Sequence, residues 1–117
     1  MENITLGSVT AGSLTATGGT ITLNSNITTQ AATGIDLSGT TALNLGTDVT
    51  LDSSTGNGTI NLSGGAVDGN QTLTLTAGTG AVNLGTIGGG TALASLAVTS
   101  TGTTTLNGNI STQGATG

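Results

Sequence analysis

The sequence predicts an all-β chain wound as a parallel β-solenoid, or β-helix, of about six coils with a mean coil length of about 20 residues. Three observations predict it. Leu6, Leu23, Leu45, Leu62, Leu84 and Leu106 each close a short segment written apolar-polar-Leu, and successive leucines are 17, 22, 17, 22 and 22 positions apart. One strand recurring about every 20 residues marks stacked repeats, none of which can bury its apolar face alone. Only 33% of the residues are hydrophobic and none is aromatic, so a layered globule would have too little large apolar surface to offset the entropy of folding. A solenoid interior one or two side chains wide can be filled by Leu, Ile, Val and Ala. Helix signals are missing, since no segment has apolar residues at 3.6-residue spacing and Thr and Gly are poor helix formers.

The leucine-anchored strands are, in order, Ile4-Thr5-Leu6, Ile21-Thr22-Leu23, Leu43-Asn44-Leu45, Ile60-Asn61-Leu62, Val82-Asn83-Leu84 and Thr104-Thr105-Leu106. Their six leucines are expected to stack inward as one column. A second strand in each repeat is expected at Ser13 to Thr17, Ile35 to Ser38, Asp48 to Asp52, Thr72 to Thr76 and Ser95 to Thr99. Apolar residues there alternate with Thr, Ser, Asp or Ala, giving one inward and one wet face. The companion column is Leu14, Leu37, Leu51, Leu75 and Val98, with Ile27 and Ile110 competing for the same role. Glycine clusters such as Gly18-Gly19, Gly56-Asn57-Gly58, Gly64-Gly65 and Gly88-Gly89-Gly90 supply the corners.

Charge and reactive residues narrow the chemistry. The chain has no Lys, Arg, His or Cys, and its net charge of -5 comes from Glu2, Asp36, Asp48, Asp52 and Asp68. Without cations or aromatics, neither phosphate neutralisation nor base stacking is available, so no nucleic-acid partner and no membrane insertion are expected. Only the five carboxylates could serve as general acid or base. Asp48 and Asp52 share a strand face but stand about 13 Å apart, beyond the roughly 5 to 9.5 Å of glycosidase pairs. Asp36, one coil earlier, is expected diagonally closer to Asp52.

No enzyme activity, no catalytic, metal or cofactor-binding residue and no cofactor is therefore expected. Weak calcium binding stays open at Asp36, Asp48, Asp52 or Asp68, the first three on one expected face and the last in Asp68-Gly69-Asn70. The alternative for Asp68-Gly69-Asn70 is a plain turn. Asn24, Asn26, Asn107 and Asn109 flank corners, where local turn capping is favoured over an amide ladder. Asn3-Ile4-Thr5, Asn26-Ile27-Thr28 and Asn109-Ile110-Ser111 match the glycosylation acceptor by composition alone. Thr-rich faces such as Ser13/Thr15/Thr17 and Thr72/Thr74/Thr76 raise ice or glycan binding, which Asp48/Thr50/Asp52 interrupts.

A longer repeat overlies the short one. Residues 20–34 return as 103–117 at a constant offset of 83, and Ile4 to Val9 return as Val82 to Ile87, so 4–34 resembles 82–117. The whole of 1–117 reads as a single solenoid segment. No stretch has the roughly 18 consecutive apolar residues of a membrane helix, and no basic-then-apolar leader follows Met1. Met1 is accordingly read as the start of an excised fragment or mature chain, with any targeting signal outside it.

Phrases such as Ala81-Val82-Asn83-Leu84-Gly85-Thr86-Ile87-Gly88-Gly89, Thr103-Thr104-Thr105-Leu106-Asn107-Gly108-Asn109-Ile110 and Ile35-Asp36-Leu37-Ser38-Gly39 resemble the repeats of giant bacterial surface proteins. These are the filamentous-haemagglutinin-like exoproteins and the autotransporter adhesins. The resemblance covers essentially the whole chain and implies a right-handed parallel β-helix serving as the long stalk of a secreted adhesin. The family's amino-terminal Asn-Pro motifs have no counterpart here, since the chain has no Pro. The expected function is a non-catalytic stalk segment at the bacterial cell surface or outside the cell. The alternative is a subunit of an extracellular filament that self-associates through its coil ends, and an ice- or glycan-binding face is a third reading.

Overall fold

A computed structural model describes residues 3–113. Glu2 and the last four residues of the long repeat, 114–117, lie outside the described residues. The described chain contains no helix, and its strands pair in parallel throughout two sheets. Strands β1 (Ile4–Leu6), β3 (Leu14–Leu23), β5 (Ile35–Leu45), β7 (Ile60–Leu62), β10 (Val82–Leu84) and β12 (Thr104–Leu106) run in that order through the first sheet. Strand β8 (Ala66–Asp68) also pairs with β5 in it. The second sheet holds β2 (Val9–Ala11), β4 (Ile27–Thr29), β6 (Val49–Asp52), β9 (Thr72–Gly78) and β11 (Ser95–Ser100). The molecule is a β-solenoid.

Each turn has three walls. On the first, Leu14, Ile35, Ile60, Val82 and Thr104 are successive register partners. On the second, Ile4, Ile21, Leu43, Val67, Ile87 and Ile110 follow one another. The third carries Val9, Ile27, Leu51, Leu75 and Val98. Strands β3 and β5 run through the corner between the first and second walls. Alternation along every strand turns Ile, Leu and Val inward and Thr, Asn or Asp outward, and the inward set merges into one cluster extending from Ile21 to Leu93.

The four steps between Val9 and Val98 average about 22 residues. Four complete turns therefore lie between these two valines, with partial turns at either end. The expectation of six shorter coils is corrected accordingly. The leucines miscount because they do not form one column. Leu6, Leu23 and Leu45 stack on the second wall, whereas Leu62, Leu84 and Leu106 stack on the first. The step from Leu45 to Leu62 is shorter than a turn because it covers only two walls.

The companion column is corrected in the same way. Leu51, Leu75 and Val98 share the third wall with Ile27, while Leu14 belongs to the first wall and Ile110 to the second. Leu37 also lies on the first wall, two residues after Ile35. Leu106, expected inside, is 57% exposed, because among the described residues its rung has a neighbour on one side only.

The corner from the third wall to the first is built on glycine. A Cβ on Gly34 would strike the backbone of Thr59, one on Gly58 would meet Gly34 Cα at 2.5 Å, and those on Gly80 and Gly102 would strike the backbone of Gly58 and Thr79. Coils approach there more closely than any side chain allows, and Gly34 also adopts a φ of +70°. Polar groups inside the wall are paired where the corner bends. Thr40 donates its hydroxyl to Leu37 O at 3.0 Å and Ser53 donates to Gly58 O at 2.7 Å.

Candidate functional site

Outward side chains are the only candidates, because the described residues enclose no pocket. Among them no group of three or more His, Cys, Asp or Glu side chains comes together. Asp36 lies on the first wall between Thr15 and Asn61. Asp52 lies on the third between Thr28 and Thr76, and Asp68 on the second beside Asn44. The expected common face of Asp36, Asp48 and Asp52 is thereby corrected. An advance from Ile35 to Val49 crosses two corners, which carries Asp36 away from the other two.

Each carboxylate instead organises backbone. Asp36 Oδ1 accepts from the Ser38 amide at 2.9 Å and from its hydroxyl at 2.6 Å. Asp52 does the same with Ser54, at 2.9 and 2.6 Å, and Asn61 with Ser63, at 3.1 and 2.7 Å. The shared spacing, Asx followed two residues later by Ser, was present in the sequence and is the signal that could have marked these turns.

A second set of Asx side chains joins one coil to the next. Asn26 Oδ1 accepts the Thr50 amide at 2.8 Å, Asp48 Oδ1 the Thr72 amide at 2.8 Å, and Asn57 Oδ1 the Thr79 amide at 2.9 Å. Asp68 Oδ1 accepts from the amides of Gly90, at 2.8 Å, and Thr91, at 3.0 Å. Asn24 reaches up as well, its Oδ1 covering Gly46 where a Cβ would otherwise sit. Asn26 thus bridges coils rather than capping its own turn, and the Asp68-Gly69-Asn70 corner is tied to the glycine loop above it. Sequence reading missed the bridging role of Asn57, which holds a φ of 54° at its corner.

The third wall carries the densest hydroxyl array. Thr10, Thr28, Asp52, Thr76 and Thr99 line one outward column, and Thr50, Thr74 and Ala97 line another. Thr72 receives a hydrogen bond from the Ser95 hydroxyl at 3.2 Å in a third. Asp52 and Ala97 break two of these columns. Hydroxyls and methyls here have the geometry of solvated β-strands, with Asp52 as the charged residue in their column and no aromatic among them. Thr29, inward on the same wall, is fully buried and its hydroxyl has no hydrogen-bond partner. In comparison with known protein families, curated proteins and solved structures, the chain has no match.

Proposed function

We propose that this chain is a structural stalk segment of a secreted or surface-anchored bacterial fibre, of the filamentous-haemagglutinin-like kind its repeats resemble, and that it does no catalysis. The observation that carries the reading is the continuity of the inter-coil bonding. Parallel ladders run from Ile4 to Ile110, and the side chains of Asp36, Asp52 and Asn61 hold amides of their own turn while those of Asn26, Asp48, Asn57 and Asp68 hold amides of an adjacent coil. Such a chain converts length into reach. One turn of about 22 residues adds about 4.8 Å, so roughly a thousand residues give a rod of about 200 Å. The sequence has no cationic side chain to neutralise phosphate or pair with an oxyanion, and no Cys to form a thiolate.

Immunogold labelling tests the reading. Antibodies raised against the 117-residue chain should decorate intact cells of the organism that makes it, at a distance from the envelope along fibres. Label that appears only after the cells are opened would overturn it.

A second reading has its own observation. Leu106 and Ile110 are 57% and 39% exposed at one end of the stack, and Ile4, Leu6, Val9 and Leu14 are only half buried at the other. A second copy brought head to tail would continue the parallel ladders and cover both sets, making the chain a filament subunit.

A further inference from the structure

The two copies of the long repeat do not occupy the same walls. A duplication spanning a whole number of turns would place each residue in line with its counterpart. Ile21 lies on the second wall between Ile4 and Leu43, yet its counterpart Thr104 lies on the first wall against Val82. Ile27 lies on the third wall between Val9 and Leu51, yet Ile110 lies on the second against Ile87. The upstream block shifts alike, from the second wall for Ile4 to the first for Val82, and from the third for Val9 to the second for Ile87. All four pairs move by one wall in one direction. The offset between the copies falls about a third of a turn short of four whole turns.

Local pairing is nevertheless kept. Ile4, Leu6 and Val9 carry Ile21, Leu23 and Ile27, just as Val82, Leu84 and Ile87 carry Thr104, Leu106 and Ile110. The unit apolar-x-Leu, two or three corner residues, then an apolar residue specifies what it stacks on, and it fits either of two corners. The remaining corner, from the third wall to the first, is crossed instead through the glycine column of Gly34, Gly58, Gly80 and Gly102.

We infer that the repeating unit of this protein's surface is a third of a turn, so that the long repeat presents its equivalent outward side chains in directions a third of a turn apart. Thr22 stands in the outward column Thr5, Thr22, Asn44, Asp68. Its counterpart Thr105 stands in the column Thr15, Asp36, Asn61, Asn83, Thr105. The long repeat therefore makes neither the first nor the second wall a repeated ligand-reading plane. An extended planar ligand, such as an ice surface or a crystalline polysaccharide, needs an unbroken array of equivalent hydroxyls in one plane; the first two walls do not repeat one, and Asp52 and Ala97 interrupt the threonine columns of the third. The surface suits a rod met from any side. This holds for a stalk and for a filament subunit alike, so it stands apart from the choice between them.

Paired cysteines in the Cys-free 117-residue chain test it. Asp36→Cys with Asn61→Cys, and Asn44→Cys with Asp68→Cys, join register partners on the first and second walls, where Cα atoms of neighbouring strands are about 5 Å apart and within disulfide range. Asn44→Cys with Asn61→Cys joins the residues preceding Leu45 and Leu62, which would be neighbours if all the leucines shared one wall. Under oxidised glutathione the first two pairs should lose two hydrogens as the disulfide forms, while the third keeps two free thiols. Circular dichroism of the reduced variants checks that all three fold. Closure of the 44/61 pair as fast as the 36/61 pair, or failure of both register pairs to close in folded protein, would overturn the inference.

Discussion

Replacing Leu62 and Asn61 in turn by Asp puts the same new charge on adjacent residues of β7, one facing in and one facing out. Leu62 is 1% exposed and stacked against Leu84. Leu62→Asp removes about 1.5 to 3 kcal/mol of apolar burial and adds several kcal/mol for a carboxyl group with no partner inside. Against a total stability of about 5 to 15 kcal/mol, that is enough to unfold the chain. Asn61→Asp keeps the Oδ1 acceptor that Ser63 uses, as Asp36 does for Ser38 one coil below. Its cost is the repulsion between the new carboxylate and its register partner Asp36. At a separation of about 5 Å in water this is about 0.8 kcal/mol, and salt screens it. Because the chain has no aromatic residue, urea and thermal melts are followed by far-ultraviolet circular dichroism. Equal losses for the two variants would refute the inward and outward assignment. An Asn61→Asp loss that salt leaves unchanged would refute the stacking of residue 61 on Asp36.

Three other outcomes are expected. Gly58→Ala, whose Cβ would meet Gly34 Cα and N and Ala31 O at 2.5 to 2.7 Å, should cost about 3 kcal/mol because backbone rather than a flexible side chain must yield. Gly12→Ala, which has nothing within 4 Å, should stabilise by about 0.4 to 1 kcal/mol through the unfolded state, and chemical melts of the pair compare them directly. Thr29→Val replaces a buried hydroxyl that has no partner with a methyl of similar size, and should raise the melting midpoint by an amount worth about 1 to 3 kcal/mol; a lowered midpoint would show that Thr29 has a hydrogen bond after all. Light scattering of the 117-residue chain should show association growing with concentration and weakened by Leu106→Asp, whose side chain is exposed at one end of the stack; a strict monomer at high concentration would remove the filament reading.

The sequence by itself determined that the chain is a solenoid. Strand, alternation and corner are local properties: an apolar-x-Leu segment is a strand that must bury one face, and a glycine pair is a place where the chain can turn. The scarcity of large apolar residues leaves a thin stacked interior as the way to bury them. Local pattern also settled which residues face inward along each strand, since Ile21, Leu23, Ile60, Leu62, Val82 and Leu84 are all buried. Tertiary structure decided which wall each segment joins. Leu45 and Leu62 close the same apolar-Asn-Leu pattern, and the choice between one column and two depends on how many residues the corners between them consume. A corner unit that fits two positions in the cross-section carries no mark of the one it occupies.

The candidate sites divide on the same line. The Asx-Ser turns at Asp36, Asp52 and Asn61 were written in residues two apart, because both partners lie at one strand end. The bridges from Asn26 to Thr50, Asp48 to Thr72 and Asn57 to Thr79 join positions 22 to 24 apart. They exist only once the coils are stacked in register, because a carboxylate or amide oxygen finds the amide above it only when the rung spacing brings that amide within hydrogen-bonding distance.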